Sequence, residues 1–385
     1  MGQPVIVSAA RTPIGKHGGA LSREHPARLL GHVQRHVLER GGVDPSSVGQ
    51  VIGGCVTQVG EQGFNVTRIA WLSAGLPHEV GALTIDCQCG ASQHANHLVS
   101  SLIASGAIDT GIACGVEAMS RVAMGSNTRN GPGHPKPDDF GYDMPDQFVA
   151  AERIAAKHGL TRHELDAFGC SSHQKALRAA AECRFVREIV PVEVPEDEGG
   201  DRPCTISVAR DEGPRRTTAE RIAGLKPVVP NGLHTAATIC QMSDGAAAVL
   251  WMDERRARAL GLPPRARVVA QALVGSDPYY HIDGPIDATA AVLKQAKMSV
   301  RDIDLFEINE AFASVVLAWQ RVYGVDLAQV NVNGGAIAIG HPMGATGSRL
   351  IATAVYEMER TGQSTALVSM CCGGAMATAT ILERI

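Results

Sequence analysis

Asn333-Gly334-Gly335-Ala336-Ile337-Ala338-Ile339-Gly340-His341-Pro342-Met343-Gly344-Ala345-Thr346-Gly347 sets five glycines around a single histidine. That is more glycine than a turn needs, and it leaves the backbone open to close approach by a ligand. No Gly-Lys-Ser/Thr follows, so a phosphate-binding P-loop is excluded. Beyond the stretch, Leu350, Ile351, Ala354, Val355 and Met358 recur at helical spacing, and Thr365–Met370 reads as a strand. The unit is therefore a glycine-rich turn, a helix and a strand.

Working outward, the same unit occurs near the start of the chain. Cys89 lies in Asp86-Cys87-Gln88-Cys89-Gly90-Ala91-Ser92, and Ala95, Leu98, Val99, Leu102 and Ile103 follow at helical spacing. A strand-like run, Thr110–Gly115, comes next. A shift of about 255 residues superposes Val48, Val51 and Ile52 on Ile303, Phe306 and Glu307, and carries Cys89 to within a turn of His341. Two copies of one βα design would place a reactive residue at equivalent strand-to-helix loops, where sites gather in open α/β sheets.

Composition separates three zones. Residues 1–120 form one βα half, completed by 244–264, and residues 265–385 form the second. Residues 121–243 read as an inserted loop domain. It holds Gly131-Pro132-Gly133-His134-Pro135-Lys136-Pro137, a helix over Gln147–His158 and the acidic stretch Glu196–Asp201. With 385 residues, 45% hydrophobic and 19% charged, the chain can bury a large core.

The net charge of -4 and the lack of a basic run argue against nucleic acid. No apolar run approaches the roughly 20 residues of a membrane span. The N-terminus carries no signal-peptide pattern, so a cytoplasmic protein that does not enter the membrane is expected. Ten cysteines in such a chain read as thiols. Cys55 and Cys114 look like core filler, whereas Cys170, Cys183 and Cys204 have no evident chemical neighbours.

Four segments carry chemistry. Cys89 before a helix would feel the positive end of the helix dipole, which favours the nucleophilic thiolate. The same segment also fits a buried cysteine beside a tight turn. Cys87 and Cys89 with Cys371 and Cys372 lack the two-residue gap of zinc knuckles, so no metal is expected. Asn309-Glu310-Ala311-Phe312-Ala313 ends an apolar run; its Asn could orient a water or cap a helix. The glycine-rich His341 loop is the third. Cys371-Cys372-Gly373-Gly374-Ala375, where a thiol meets a glycine pair that can offer backbone donors, is the fourth.

In this order and spacing, the four segments resemble the thiolase family along essentially the whole chain. The resemblance implies an α/β thiolase fold: two similar βα halves forming a five-layered αβαβα core with an inserted loop domain. It also implies an acyltransferase that works as a homodimer or homotetramer on acyl-CoA and CoA, with CoA as substrate and no other cofactor. By the resemblance, Cys89 is the acylated nucleophile and His341 takes its proton. Cys371 is the acid and base. Asn309 holds a water that completes one oxyanion hole with His341, and the N–H groups of Cys89 and Gly373 make the other.

Departures from the family pattern bear on substrate. Ser92 stands where Gly is usual and would narrow the approach to Cys89, and Ala375 replaces a third Gly. A His-Met pair of short-chain biosynthetic thiolases is matched by Asp146-Gln147, with extra residues around Met144-Pro145. A Ser that contacts pantetheine is matched by Cys240. Met144, Gln147 and Cys240 are thus the candidate substrate- or CoA-binding residues. Asp86–Cys89, Gln93–His97, Ala248–Glu254 and Ala272–Pro285 are similar to actinobacterial thiolases that shorten steroid side chains. The expected reaction is degradative. A bulky 3-ketoacyl-CoA is cleaved by CoA to acetyl- or propionyl-CoA and a shortened acyl-CoA. The alternatives are biosynthetic condensation of two acetyl-CoA, a ketosynthase (which would pair Cys89 with two histidines), and a non-catalytic acyl-CoA carrier.

Overall fold

The computed structural model describes residues 2–129, 132–195 and 205–385. The acidic stretch 196–201 and Cys204 lie outside them. Nine strands make the main framework: β1 Pro4–Arg11, β2 Gln50–Gly54, β3 Gly81–Ile85, β4 Thr110–Ala118, β5 Ser243–Asp253, β6 Ala266–Gly275, β7 Leu305–Ile308, β8 Thr365–Cys372 and β9 Met376–Arg384. The eight long helices are α1 Pro26–Gly41, α2 Val66–Ser73, α3 Ala91–Ser105, α4 Gln147–Lys157, α5 Arg162–Ala181, α6 Pro285–Ala296, α7 Ala313–Tyr323 and α8 Met343–Thr361.

The repeat seen in the sequence is physical. In the first half β2 and β4 are parallel, and β4–β5 and β5–β1 are antiparallel. In the second, β7 and β8 are parallel, and β8–β9 and β9–β6 are antiparallel. Gln50 and Leu305 open matching strands 255 positions apart, as do Thr110 and Thr365. The halves differ at one edge. β3 pairs with β2 over five residues, whereas its counterpart shrinks to a single parallel bridge between Phe306 and Val330. They join where Val5 and Ile6 of β1 meet Arg267 and Ala266 of β6.

Five layers follow from which faces are apolar. Leu29, Val33 and Trp71 from α1 and α2 cover the outer face of the first sheet. Val99 and Ile103 of α3 and Leu350 and Val355 of α8 fill the space between Ile6 and Trp251 of one sheet and Val368 and Leu382 of the other. Val292 of α6 and Trp319 of α7 close the far side on Phe306, Leu367 and Ile381. Every residue of α8 from Met343 to Met358 is buried, as a helix packed on all sides must be. A Cβ at Gly344 would lie 2.4 Å from the Val116 carbonyl oxygen, so only glycine lets the start of α8 dock on β4. No described helix is long and apolar enough to cross a membrane.

One sequence expectation is corrected here. Ser92 does not narrow any approach to Cys89: it is fully buried, and its hydroxyl accepts from the Ser348 N–H of α8 at 3.0 Å. It ties the two central helices together.

Candidate active site

Cys89 sits on a single 3-10 turn, Gln88–Gly90, that leads directly into α3. Burial pushes its thiol up to about 12, while the Gly373 N–H aimed at the sulfur pulls the other way. The resting group is therefore a thiol that needs a base.

His341 precedes α8 and is buried. Its Nδ1 lies 2.7 Å from Thr346 Oγ1, whose hydroxyl hydrogen is committed to the Pro342 carbonyl at 2.8 Å. Thr346 must then accept, so the ring hydrogen is on Nδ1 and Nε2 carries the lone pair. Burial, and then the Arg349 charge, push this imidazole down to about 3. It is neutral at rest, and Nε2 is the ring position that can accept a proton.

Asn309 follows β7 and donates its backbone N–H to the Ser369 carbonyl at 2.9 Å. It does not cap a helix, since α7 begins at Ala313 with Phe312 as its N-cap. Its amide nitrogen lies 3.5 Å from His341 Nε2, and its Oδ1 is buried without a partner in the protein. Cys371, at the end of β8, lies beside the Asn309 side chain, which favours its thiolate. Burial holds the Cys371 thiol well above its ordinary range, and the neighbouring Cys89 and Cys240 reinforce this.

Cys240 reaches the site because residues 238–240 pair with the 311–313 backbone: its N–H donates to the Ala311 carbonyl at 3.0 Å. Burial raises this thiol too, with Cys89 next in effect. Three thiols thus face one centre. Cys87 instead packs with Cys372 and Ala91 in a separate small cluster. Among the described residues, no group of three or more His, Cys, Asp or Glu is arranged to hold a metal ion.

Two cavities meet at Cys89. One, about 430 Å³, is lined by Cys240, His341, Phe148, Phe312, Met343 and Arg215. The other, about 470 Å³, is lined by Cys371, Gly373, Met144, Gln147, Met124 and His281. The sequence candidates Met144, Gln147 and Cys240 therefore all border the centre, Gln147 on both sides. Asp146 serves as N-cap of α4, accepting from the Phe148 and Val149 N–H groups at 2.8 and 3.0 Å.

Several groups escaped sequence reasoning. Glu117 is fully buried and accepts from the N–H groups of Val56, Thr57 and Gly344 and from the Gln62 amide. Glu310 accepts from Ser172, Asn331 and the Ile337 N–H, and so fixes the glycine-rich loop. A Cβ at Gly335 would lie 2.2 Å from the Glu310 carboxyl carbon, which explains that glycine. Arg215, Arg216 and Arg221 line a further recess with His173, and Arg215 also lines the first cavity. His173 accepts the Arg215 N–H at Nδ1, so its buried, unpartnered Nε2 carries a hydrogen. No motif marks these arginines.

Residues 4–255 match the thiolase N-terminal domain, and residues 262–384 match the thiolase C-terminal domain. The chain belongs to the thiolase family. It is an acyltransferase by that membership. The steroid 3-ketoacyl-CoA thiolase FadA6 of Mycobacterium tuberculosis is 42% identical, over 100% of this chain and 95% of its own length. A 3-ketoacyl-CoA thiolase of Bacillus subtilis is 41% identical over the full length of both. The crystal structure of the Bacillus anthracis acetyl-CoA acetyltransferase superposes with a TM-score of 0.90 at 34% identity, covering 100% of this thiolase and 99% of that chain.

Proposed function

We propose that this thiolase runs in the degradative direction, cleaving a bulky, steroid- or lipid-derived 3-ketoacyl-CoA with CoA. The observation that carries the reading is the convergence on Cys89, where two cavities meet, of a neutral His341 whose Nε2 lone pair faces the Asn309 amide nitrogen and of the Cys371 thiol beside Asn309. Cys89 gives its proton to His341 Nε2 as its sulfur attacks the 3-keto carbon. The N–H groups of Cys89 and Gly373 take the oxyanion. The bond between C2 and C3 then breaks, its electron pair passes to C2, and Cys371 protonates the departing enolate of acetyl- or propionyl-CoA. His341 and Asn309, with its water, face that enolate oxygen.

In the second half-reaction the Cys371 thiolate takes the proton of a fresh CoA thiol. That sulfur attacks the acyl-Cys89, and Cys89 recovers its proton from His341. Each oxyanion donor contributes on the order of 3 kcal/mol.

CoA is the substrate, and no other cofactor enters the reading. Its pantetheine arm runs past Phe148, Phe312 and Cys240, and its phosphates meet Arg215, Arg216 and Arg221. The acyl group occupies the cavity lined by Met124, Met144 and His281, whose volume exceeds the needs of an acetyl group. A homodimer belongs to the same reading. It is supported by the outer edge of β3, left open in this sheet, and by the nearby Phe64, 94% exposed. A cytoplasmic location is supported by the free state of every described cysteine.

The test compares CoA-dependent cleavage of acetoacetyl-CoA and of a steroid 3-ketoacyl-CoA by wild type and Cys89→Ala. Preference for the bulky thioester, abolished in the variant, supports the proposal. Preference for acetoacetyl-CoA rejects the bulky substrate. Cleavage of neither, with CoA still bound, rejects catalysis in favour of a carrier.

A further inference from the structure

The loop that presents Gly373 to Cys89 is a three-residue connection, Gly373-Gly374-Ala375, between the paired residues Cys372 and Met376. Gly374 and Ala375 adopt φ of 80° and 57°. A short loop in this conformation has few bonds of its own to hold it, so its orientation depends on what it touches. Two contacts from one neighbouring segment do this. The Ser276 N–H donates to the Ala375 carbonyl at 2.8 Å, and the Gly374 N–H donates to His281 Nε2 at 2.8 Å.

The His281 ring is fully committed. A backbone N–H can only donate, so Nε2 accepts and the ring hydrogen must sit on Nδ1. That nitrogen lies 2.7 Å from the Pro145 carbonyl oxygen, which can only accept. The imidazole therefore bridges the inserted segment to the glycine loop with both nitrogens satisfied. Its own backbone is left-handed, with φ of 56°, an uncommon conformation for a residue with a side chain. The surrounding segment is clamped to α4: Arg153 stacks 3.9 Å over the Tyr279 ring, and Lys157 lies 3.8 Å over Tyr280 while bonding Asp283 at 3.0 Å.

We propose that His281 is a positioning residue for the second oxyanion hole. By holding the Gly374 N–H it sets the plane of the neighbouring peptide and so aims the Gly373 N–H at the oxygen that develops on the Cys89-bound carbon. The same bridge, through Pro145, closes the wall of the acyl cavity that His281 lines. Gly374 is thereby excluded as an oxyanion donor, and Gly373 is left to act with Cys89. Without the bridge the loop can rotate, and a donor displaced by a fraction of an ångström loses much of its effect on the transition state.

The inference rests on the thiolase reading of Cys89, and the test separates the two. Two reactions of the same sulfur are compared: acylation by a 3-ketoacyl-CoA, which develops an oxyanion, and alkylation by iodoacetamide, which relies on no oxyanion hole. His281→Ala and His281→Met both remove the bridge, Met while refilling the space. His281→Gln restores a donor and an acceptor on one side chain. In the Ala and Met variants the acylation rate should fall about 10- to 100-fold. Alkylation feels the Gly373 N–H only through its effect on the sulfur, so it should slow by no more than about threefold. The KM for CoA should change by no more than that, and Gln should recover most of the loss in acylation.

Equal slowing of acylation and alkylation would reduce His281 to a structural prop and overturn the proposal. So would wild-type acylation in His281→Met, which answers the question even where His281→Ala fails to fold. Failure of wild type to acylate Cys89 at all would instead reject the thiolase reading.

Discussion

Thr346→Val isolates the device that keeps His341 a base. The substitution is nearly isosteric, but it removes the oxygen that accepts from His341 Nδ1 at 2.7 Å. The Nδ1–H tautomer then holds a buried donor with no partner, which costs about 1–3 kcal/mol. The alternative tautomer puts the hydrogen on Nε2, facing Asn309 and the cavity, where it blocks the lone pair that Cys89 needs. At about 1.4 kcal/mol per tenfold, the productive tautomer loses about 5- to 150-fold. Acylation of Cys89, followed by mass spectrometry of the quenched enzyme, should slow by that factor. Thr346→Ser, which keeps the hydroxyl, should remain within about threefold. If folded Thr346→Val acylates within twofold of wild type, the tautomer is not set by Thr346 and the argument for His341 fails.

Four further outcomes follow from the same geometry. With Cys89 raised to about 12 and His341 lowered to about 3, the resting pair is uncharged. The thiolate fraction, and with it the rate of alkylation by iodoacetamide, should rise tenfold per pH unit from 6 to 9; a plateau near neutrality would reveal a thiolate–imidazolium pair instead. Arg215→Ala should raise the KM for CoA about tenfold while kcat stays within twofold, because a remote phosphate contact contributes equally to ground and transition states; an unchanged KM moves the phosphates elsewhere. Cys371→Ala should cut Cys89 acylation by a 3-ketoacyl-CoA at least about 100-fold through loss of the proton donor, and a smaller loss assigns that proton to another group. Glu117→Gln should cost about 1–3 kcal/mol of stability, read as a lower thermal midpoint, and an unchanged midpoint would show that its donors do not need a carboxylate.

The sequence could show the centre because its parts are contiguous. The glycines around His341 and the Gly373-Gly374 pair advertise close backbone approach, although packing on Glu310 and on β4 accounts for Gly335 and Gly344. The repeat was legible for a related reason: strands and helices recur at a fixed offset. What stayed hidden depends on segments that meet only in space. Glu307, matched to Ile52 by the repeat, is a buried carboxyl raised to about 8 by desolvation, with the Arg349 charge opposing that rise. Position in the repeat could not announce a charge in that slot. Ser92 was misjudged because alignment gives the neighbour of Cys89 along the chain but not the direction of a side chain in the first turn of α3. The three arginines belong to no contiguous motif, and although His281 lies within the Ala272–Pro285 stretch, only packing against Pro145 and Gly374 reveals its contacts.

The carboxylates of Glu117 and Glu310 explain how loops this rich in glycine hold a catalytic geometry. Burial raises the pKa of both, the direction that would neutralise them, and each set of hydrogen-bond donors opposes it. A carboxylate offers about four acceptor sites on two oxygens, and Glu117 fills them from the Val56, Thr57 and Gly344 N–H groups and Gln62. One side chain thus joins the cavity wall, β4 and the first turn of α8. Glu310 does the equivalent for α5, Asn331 and the turn at Ile337. Glycine lets these backbones come close but supplies no stiffness, because it has the most freedom to lose on folding. The stiffness comes from the two buried carboxyl groups. Each is satisfied only when several donors converge on it, three main-chain N–H groups at Glu117 and the Ile337 N–H with two side chains at Glu310, so displacing either loop would leave a buried carboxyl group short of partners. That penalty is what keeps His341 and Cys89 in register across two halves of the chain.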